Sequence, residues 1–346
     1  MFNKEQIESL RKELKIRDPG IFEKAVRAFG LLDALLKIYP ELIFKGGTSI
    51  LLHKFPPERL SIDIDILLSR KDQESISGNV QTIAQVSGFK TVKEDERQSA
   101  IPKAHYKFRY DPFFGPREDS ILLDIVFCDH PYHRIVEKSL KGYPLISSDT
   151  NAVAKIPTPE GLVGDKMTAI SPKTLGLRLT EGRDMEYLKQ IIDLGILFGI
   201  VEDLKDVRHT FNKTCAMENN FRKTKHSQEE ILNDILEVAF RYSQWLLKGA
   251  DNSFKEIASI HRGLERLSNH LVARISPDDL KVAFAKIAYM ARLIRDAGQS
   301  TIEKEVDLSV VDGVQLEGKY KILDGLKKRS MPAYFYWALA VGAKER

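Results

Sequence analysis

The sequence predicts an α+β chain: an N-terminal mixed sheet domain flanked by helices over residues 1–155, then a mainly helical domain over 156–346. Three observations predict it. Strand-like runs, one of them strictly alternating, all end by Phe127. At Thr158-Pro159-Glu160 the character changes, because Thr as N-cap and Pro at the first helical position make a strong helix start. From there on the apolar spacing is helical, apart from an irregular stretch at 304–319. At about 150 residues per domain, a chain of 346 residues suggests two domains, or one domain with large additions.

The elements follow in order. The first forty residues carry two helical patterns; in the second, Ile21, Ala25, Ala28, Phe29, Leu32, Leu35 and Leu36 form one apolar stripe that Pro40 ends. Leu42-Ile43-Phe44 reads as a short buried strand that stops at Gly46-Gly47, and a helical pattern resumes over Thr48 to Lys54. Ile62-Asp63-Ile64-Asp65-Ile66 is a strand with one apolar and one acidic face. Gln73 to Val86 is helical, and Phe89–Val92, His105–Tyr110 and Ile121–Phe127 are strands. Downstream, Trp245, Leu246, Phe254, Phe284 and Tyr289 read as core.

Composition narrows the function classes. Hydrophobic residues make up 43% and charged residues 29%, ordinary globular usage that rules out a collagenous or mostly disordered chain. A net charge of +4 permits a polyanionic partner without demanding one. The longest apolar runs, Leu194–Val201 and Tyr334–Ala343, fall short of the ~20 residues a membrane span needs. The N-terminus has no apolar signal-peptide core. Cys128 and Cys215 are too few for a disulfide framework. The expectation is a soluble cytoplasmic protein with no membrane partner.

The chemistry concentrates at Lys45-Gly46-Gly47-Thr48-Ser49 and Arg59-Leu60-Ser61-Ile62-Asp63-Ile64-Asp65. Asp63 and Asp65, two apart on a strand, share one face. Carboxylates so placed repel unless a cation bridges them, and Mg²⁺ is typically bound by one or two carboxylates plus substrate phosphates. A bare D-x-D is more often a solvated strand face. The upstream glycines change that weighting, because strand, Gly-Gly-Thr-Ser, helix is a way to seat a phosphate on free N–H groups, with Thr48 and Ser49 adding hydroxyl donors. Asp124 is the sole polar residue inside Ile121–Phe127; its burial would be costly unpaired, and coordination to the same metal satisfies it most simply. Cys128, His130 and His133 are ligand types zinc accepts, but no second cluster completes a site.

Gly-Gly-Thr, Arg-x-Ser-x-Asp-x-Asp and a lone later Asp resemble the signature of the DNA polymerase β-like nucleotidyltransferase superfamily. The form Lys45-Gly46-Gly47-Thr48 with Arg59, Ser61, Asp63 and Asp65 resembles the AbiEii/AbiGii toxin family of abortive-infection and toxin–antitoxin systems, related to the MenT toxins. Thr158-Pro159-Glu160-Gly161-Leu162, Asp165-Lys166, Ala169 and Arg183-Asp184 are similar to that family's second motif block; where relatives carry a second Asp, this chain has Tyr187. The resemblance covers roughly residues 40–195.

It implies a nucleotidyltransferase fold and a Mg²⁺-dependent transfer from a nucleoside triphosphate to RNA, plausibly a tRNA 3′ end. The biological role it implies is a growth-arresting toxin with a cognate antitoxin. Asp63, Asp65 and Asp124 are then the metal and catalytic acids. Lys45, Gly46, Gly47, Thr48, Ser49 and Ser61 belong to the nucleotide-binding loop, Ser61 together with Arg59 by bracing it. Lys166, able to reach a phosphate as a point charge, and Asp184 are the further residues needed for activity, supplied by the helical domain. Two other readings stay open: a catalytically silent nucleotide- or RNA-binding module, and a nucleotidyltransferase acting on a small molecule such as an antibiotic.

Overall fold

The computed structural model describes residues 2–96, 101–147, 149–179 and 181–342. Two compact units emerge: the chain up to Thr158 together with Asn269–Ala273, and Pro159–Ser268 together with the chain from Arg274 on.

The first unit opens with α1 (Lys4–Glu13), closed at its start by a reciprocal Asn3–Gln6 capping box, and α2 (Pro19–Ile38), capped by Asp18 with Pro19 in its first turn. After these come β1 (Ile43–Lys45), a single helical turn α3 (Gly46–Ser49), β2 (Ile64–Leu68) and α4 (Gln73–Val86). Five further strands complete a seven-stranded sheet: β3 (Thr91–Glu94), β4 (Lys103–Tyr110), β5 (Asp119–Phe127), β6 (Ile135–Ser139) and β7 (Val153–Pro157). Strand order is β3-β4-β5-β2-β1-β7-β6. β2 runs parallel to β5 and β1 parallel to β7, while the other pairs are antiparallel. The core lies where α2 and α4 cover one sheet face, and buried residues alternate strictly along β4 and β5.

The sheet therefore extends past Phe127, where the sequence reading ended it. β6 is a partly exposed edge strand, Ile-Val-Glu-Lys-Ser, without alternation. β7 is five residues long and ends in Pro157. Neither run carries a pattern that separates it from a loop.

The second unit is helical: α5 (Pro159–Ala169), α6 (Asp184–Phe198), α7 (Leu204–Arg222), α8 (Gln228–Gln244), α9 (Lys255–Leu267), α10 (Pro277–Arg295) and α11 (Met331–Val341). α10 packs against α6, α8 and α11. Tyr242 stacks on Phe284 at 4.6 Å, and the buried Trp337 indole N–H donates to Ser243 Oγ at 2.8 Å. Phe284 and Tyr289 are core as expected. Leu246 is not: α8 ends at Gln244, and Leu246 sits exposed in the following loop at φ +62, with Trp245 and Phe254 half-buried beside it. The long connection from α10 to α11 holds only 3₁₀ turns, at Leu308–Val311 and Gly318–Lys328. The apolar run Tyr334–Ala343 is largely α11, and Ala343 lies outside the described residues. Among the described residues no helix is long and apolar enough to cross a membrane.

Candidate active site

Strand register assembles the site in the first unit. β1 sets Lys45 opposite Asp65, β5 sets Asp124 beside Asp65, and β4 sets His105 opposite Asp124. Registered partners point to the same sheet face, so Lys45, Asp65, Asp124 and His105 form one transverse row across four strands. Asp63 lies just before the start of β2, and its carbonyl accepts from Thr48 Oγ1. Ile64, Ile66, Leu123 and Ile125 point the other way and are fully buried. This alternation sends the carboxylates outward: the Asp124 side chain keeps 34% of its exposure.

His105 is the member of the row that the sequence reading missed. Its Nδ1 donates to Asp124 Oδ1 at 2.5 Å; an ionised carboxylate only accepts, which places the proton on that nitrogen. The available signal was its outward position on an alternating strand, but only the register with β5 gives that position meaning.

Gly46 adopts φ +75, in the left-handed region, and an ideal Cβ there would lie 2.1 Å from Asp65 Oδ2. Only glycine lets the chain pass this close to the carboxylate. Thr48 and Ser49 are fully buried, and their hydroxyls donate to the backbone: Thr48 Oγ1 to the Asp63 carbonyl at 2.5 Å and Ser49 Oγ to the Gly46 carbonyl at 2.9 Å. Ser61 and Arg59 are also buried, with Arg59 donating to the Leu60 carbonyl at 3.1 Å. The returning segment 269–273 pins this stretch. The Leu60 N–H donates to the His270 carbonyl at 2.7 Å, and the Val272 N–H to the Glu58 carbonyl at 3.0 Å.

Lys166 and Asp184 lie in the helical unit, in separate ion pairs. Lys166, on α5, is buried and reaches Asp193 Oδ2 and Gln190 Oε1, each at 2.9 Å. Asp184, at the start of α6, accepts from Arg262 Nε at 3.1 Å, while its buried Oδ1 has no partner among the described residues. Nine positions along one helix, Asp184 and Asp193 face different neighbours.

The registered carboxylates of Asp65 and Asp124, with Asp63 just before β2, are the hard oxygen donors a divalent cation takes, and the Gly46 backbone leaves open the space a side chain would fill against Asp65. Among the described residues no three His, Cys, Asp or Glu side chains already converge as a ligand set. Mg²⁺ does not require such a cage, since it keeps waters and completes its shell with substrate phosphates, so the donor set fits. Outside the row, His130 stacks on Tyr132 at 6.0 Å, and the Cys128 N–H extends the sheet by donating to the Leu68 carbonyl.

Comparison with known proteins adds the following. The model of the family described as nucleotidyl transferase AbiEii toxin, Type IV TA system, matches residues 31–293. The fold is similar to JHP933 from Helicobacter pylori, at 15% identity and TM-score 0.44, over 79% of this chain and 92% of that one. It is likewise similar to an H. pylori protein assigned as a nucleotidyltransferase, at 15% identity and TM-score 0.45, over 79% and 95% of the two chains. No curated protein matches the sequence.

Proposed function

Because the chain belongs to the AbiEii family of nucleotidyl transferase toxins, and is thereby a nucleotidyltransferase of a toxin–antitoxin system, we propose that Asp63, Asp65 and Asp124 are the acids of its transfer site. We assign Mg²⁺ as its cation, RNA, most simply a tRNA 3′ end, as its acceptor, and the cytoplasm as its place of action. The single observation that carries the reading is the juxtaposition of Asp65 and Asp124 in register on adjacent parallel strands, with the Gly46 backbone against Asp65.

In the proposed reaction an acceptor hydroxyl oxygen bonds to the α-phosphorus of a nucleoside triphosphate, the α–β bridging bond breaks, and pyrophosphate leaves. Asp124 takes the hydroxyl proton. Asp63, Asp65 and Asp124 would hold a divalent cation, which would supply neutralisation of the phosphate charge. The loop Lys45-Gly46-Gly47-Thr48-Ser49, together with the buried Ser61, meets the phosphates through its backbone, since the Thr48 and Ser49 hydroxyls already donate to the Asp63 and Gly46 carbonyls. Lys166 and Asp184 belong to the proposal through the family resemblance.

The test is incorporation of each labelled nucleoside triphosphate into total tRNA, with Mg²⁺ and with EDTA. Mg²⁺-dependent label that Asp63→Ala and Asp65→Ala each abolish, with unchanged melting curves, is the expected result. Full activity in either variant would remove the acidic site. No label from any nucleotide would remove RNA as the acceptor and return the small-molecule acceptor or the silent binding module.

A further inference from the structure

We propose that His105 is a positioning residue of the transfer site: its Nδ1–H fixes one oxygen of Asp124 and thereby aims the other along the acidic face. This rests on the reading of Asp124 as the third acid. No motif of the family resemblance includes His105, and four observations carry its role.

The register places His105 directly opposite Asp124, and the bond between them is short, at 2.5 Å. The histidine is the more enclosed partner, with 15% of its side chain exposed against 34% for the aspartate, so it shields the carboxylate on its β4 side. The next outward residues of β4 serve other acids: Lys107 pairs with Asp95 at 3.1 Å and Arg109 with Glu118 at 3.0 Å. His105 alone of these three turns to the acid of the row. Finally, Asp65 and Asp124 are registered neighbours of like charge, and mutual repulsion turns such side chains apart unless one is held. A donor locked on Oδ1 restricts rotation of the Asp124 carboxylate, which is how an outer hydrogen-bond partner orients a ligand group and tunes its affinity.

The full chain, with His105→Ala, His105→Asn and Asp124→Asn, tests this through Mn²⁺ binding, read from the free-ion electron paramagnetic resonance signal, alongside kcat and KM for incorporation. Removing such an outer partner costs about 10- to 100-fold in metal affinity or activity. His105→Ala is expected to weaken Mn²⁺ binding by that factor and to lower kcat, with KM for the nucleotide near wild type. His105→Asn, whose amide N–H takes the place of Nδ1–H, is expected to recover most of both. A melting curve accompanies each protein, and the Asn variant carries the comparison if the Ala variant does not fold.

Wild-type Mn²⁺ affinity and kcat in His105→Ala, with Asp124→Asn impaired, would overturn the role of His105 alone. His105→Asn as impaired as His105→Ala would overturn the orienting role. Unchanged Mn²⁺ binding in Asp124→Asn would remove Asp124 from the site, and this inference with it.

Discussion

Lys166 and Asp193 face each other from α5 and α6 at 2.9 Å, with the side chains 6% and 2% exposed. The ammonium is neither a solvated surface group nor an isolated charge: Gln190 takes a second of its protons. Breaking a buried pair from one side costs about 3–5 kcal/mol, because the surviving charge stays buried. Lys166→Met is expected to lower stability by that amount in urea titration. The double variant Lys166→Met/Asp193→Leu should recover much of it. Transfer that stays lost in the refolded double variant would give Lys166 a part in activity beyond this pair.

Gly46→Ala separates close approach from backbone strain. A left-handed residue other than glycine costs about 1–2 kcal/mol, and at position 46 the added Cβ also meets Asp65 at 2.1 Å. Gly142 has φ +69 with nothing within 4 Å of its would-be Cβ. Gly142→Ala should therefore lose only the backbone energy and keep full transfer. Gly46→Ala should displace Asp65 and lose transfer at a comparable or larger stability cost. Equal activity in the two would sever Asp65 from the reaction.

Thr48 holds the carbonyl of Asp63. Thr48→Val removes that hydrogen bond, worth about 0.5–1.5 kcal/mol net, and loosens the residue that carries the first acid. Thr48→Ser keeps the hydroxyl and is expected to keep most of both stability and kcat. A Val variant as active and stable as wild type would show that the bond positions nothing.

In the helical unit, burial draws the Lys281 ammonium down to about 8 from its ordinary 10.5, with the Arg329 charge acting the same way and Asp278 opposing. Its Nζ donates to the Trp245 carbonyl at 2.7 Å. Between about pH 8 and 10.5 the unfolded chain holds a proton that the folded chain has released, so this residue's contribution to stability rises with pH. The slope is at most about 1.4 kcal/mol per pH unit. Unfolding free energies of wild type and Lys281→Met, compared from pH 7.5 to 9.5, should diverge in favour of wild type as pH rises. A constant difference would contradict the depressed value.

What was readable in the sequence was local. The alternation through Ile62–Ile66 announced a strand that appears two residues later, over Ile64–Leu68, leaving Ile62 and Asp63 outside it, and Gln73–Val86 announced a helix that appears with those bounds. Family motifs then supplied the enzyme class. What escaped depends on chain that is remote in sequence. Asp193 becomes the partner of Lys166 only once α5 packs on α6, 27 residues on. His105 acquires its role only through pairing with a strand 19 residues away. The Thr48 and Ser49 hydroxyls look like phosphate donors in a string of letters, yet both donate to backbone carbonyls, Thr48 to Asp63 and Ser49 to Gly46. β6 and β7 were missed because edge exposure and brevity erase the period-2 pattern.

The return of residues 269–273 to the sheet unit makes that unit discontinuous along the gene. A nuclease-style bisection at Thr158 would discard the strap that satisfies Leu60 and Glu58, a few residues before Asp63. Ribosomal synthesis therefore delivers the acids long before it delivers the peptide that pins their loop: more than two hundred residues emerge between Asp65 and Leu271. The bonds that hold Leu60 and Glu58 can therefore close only after most of the helical chain has been made, and no single cut of the chain separates the two units intact.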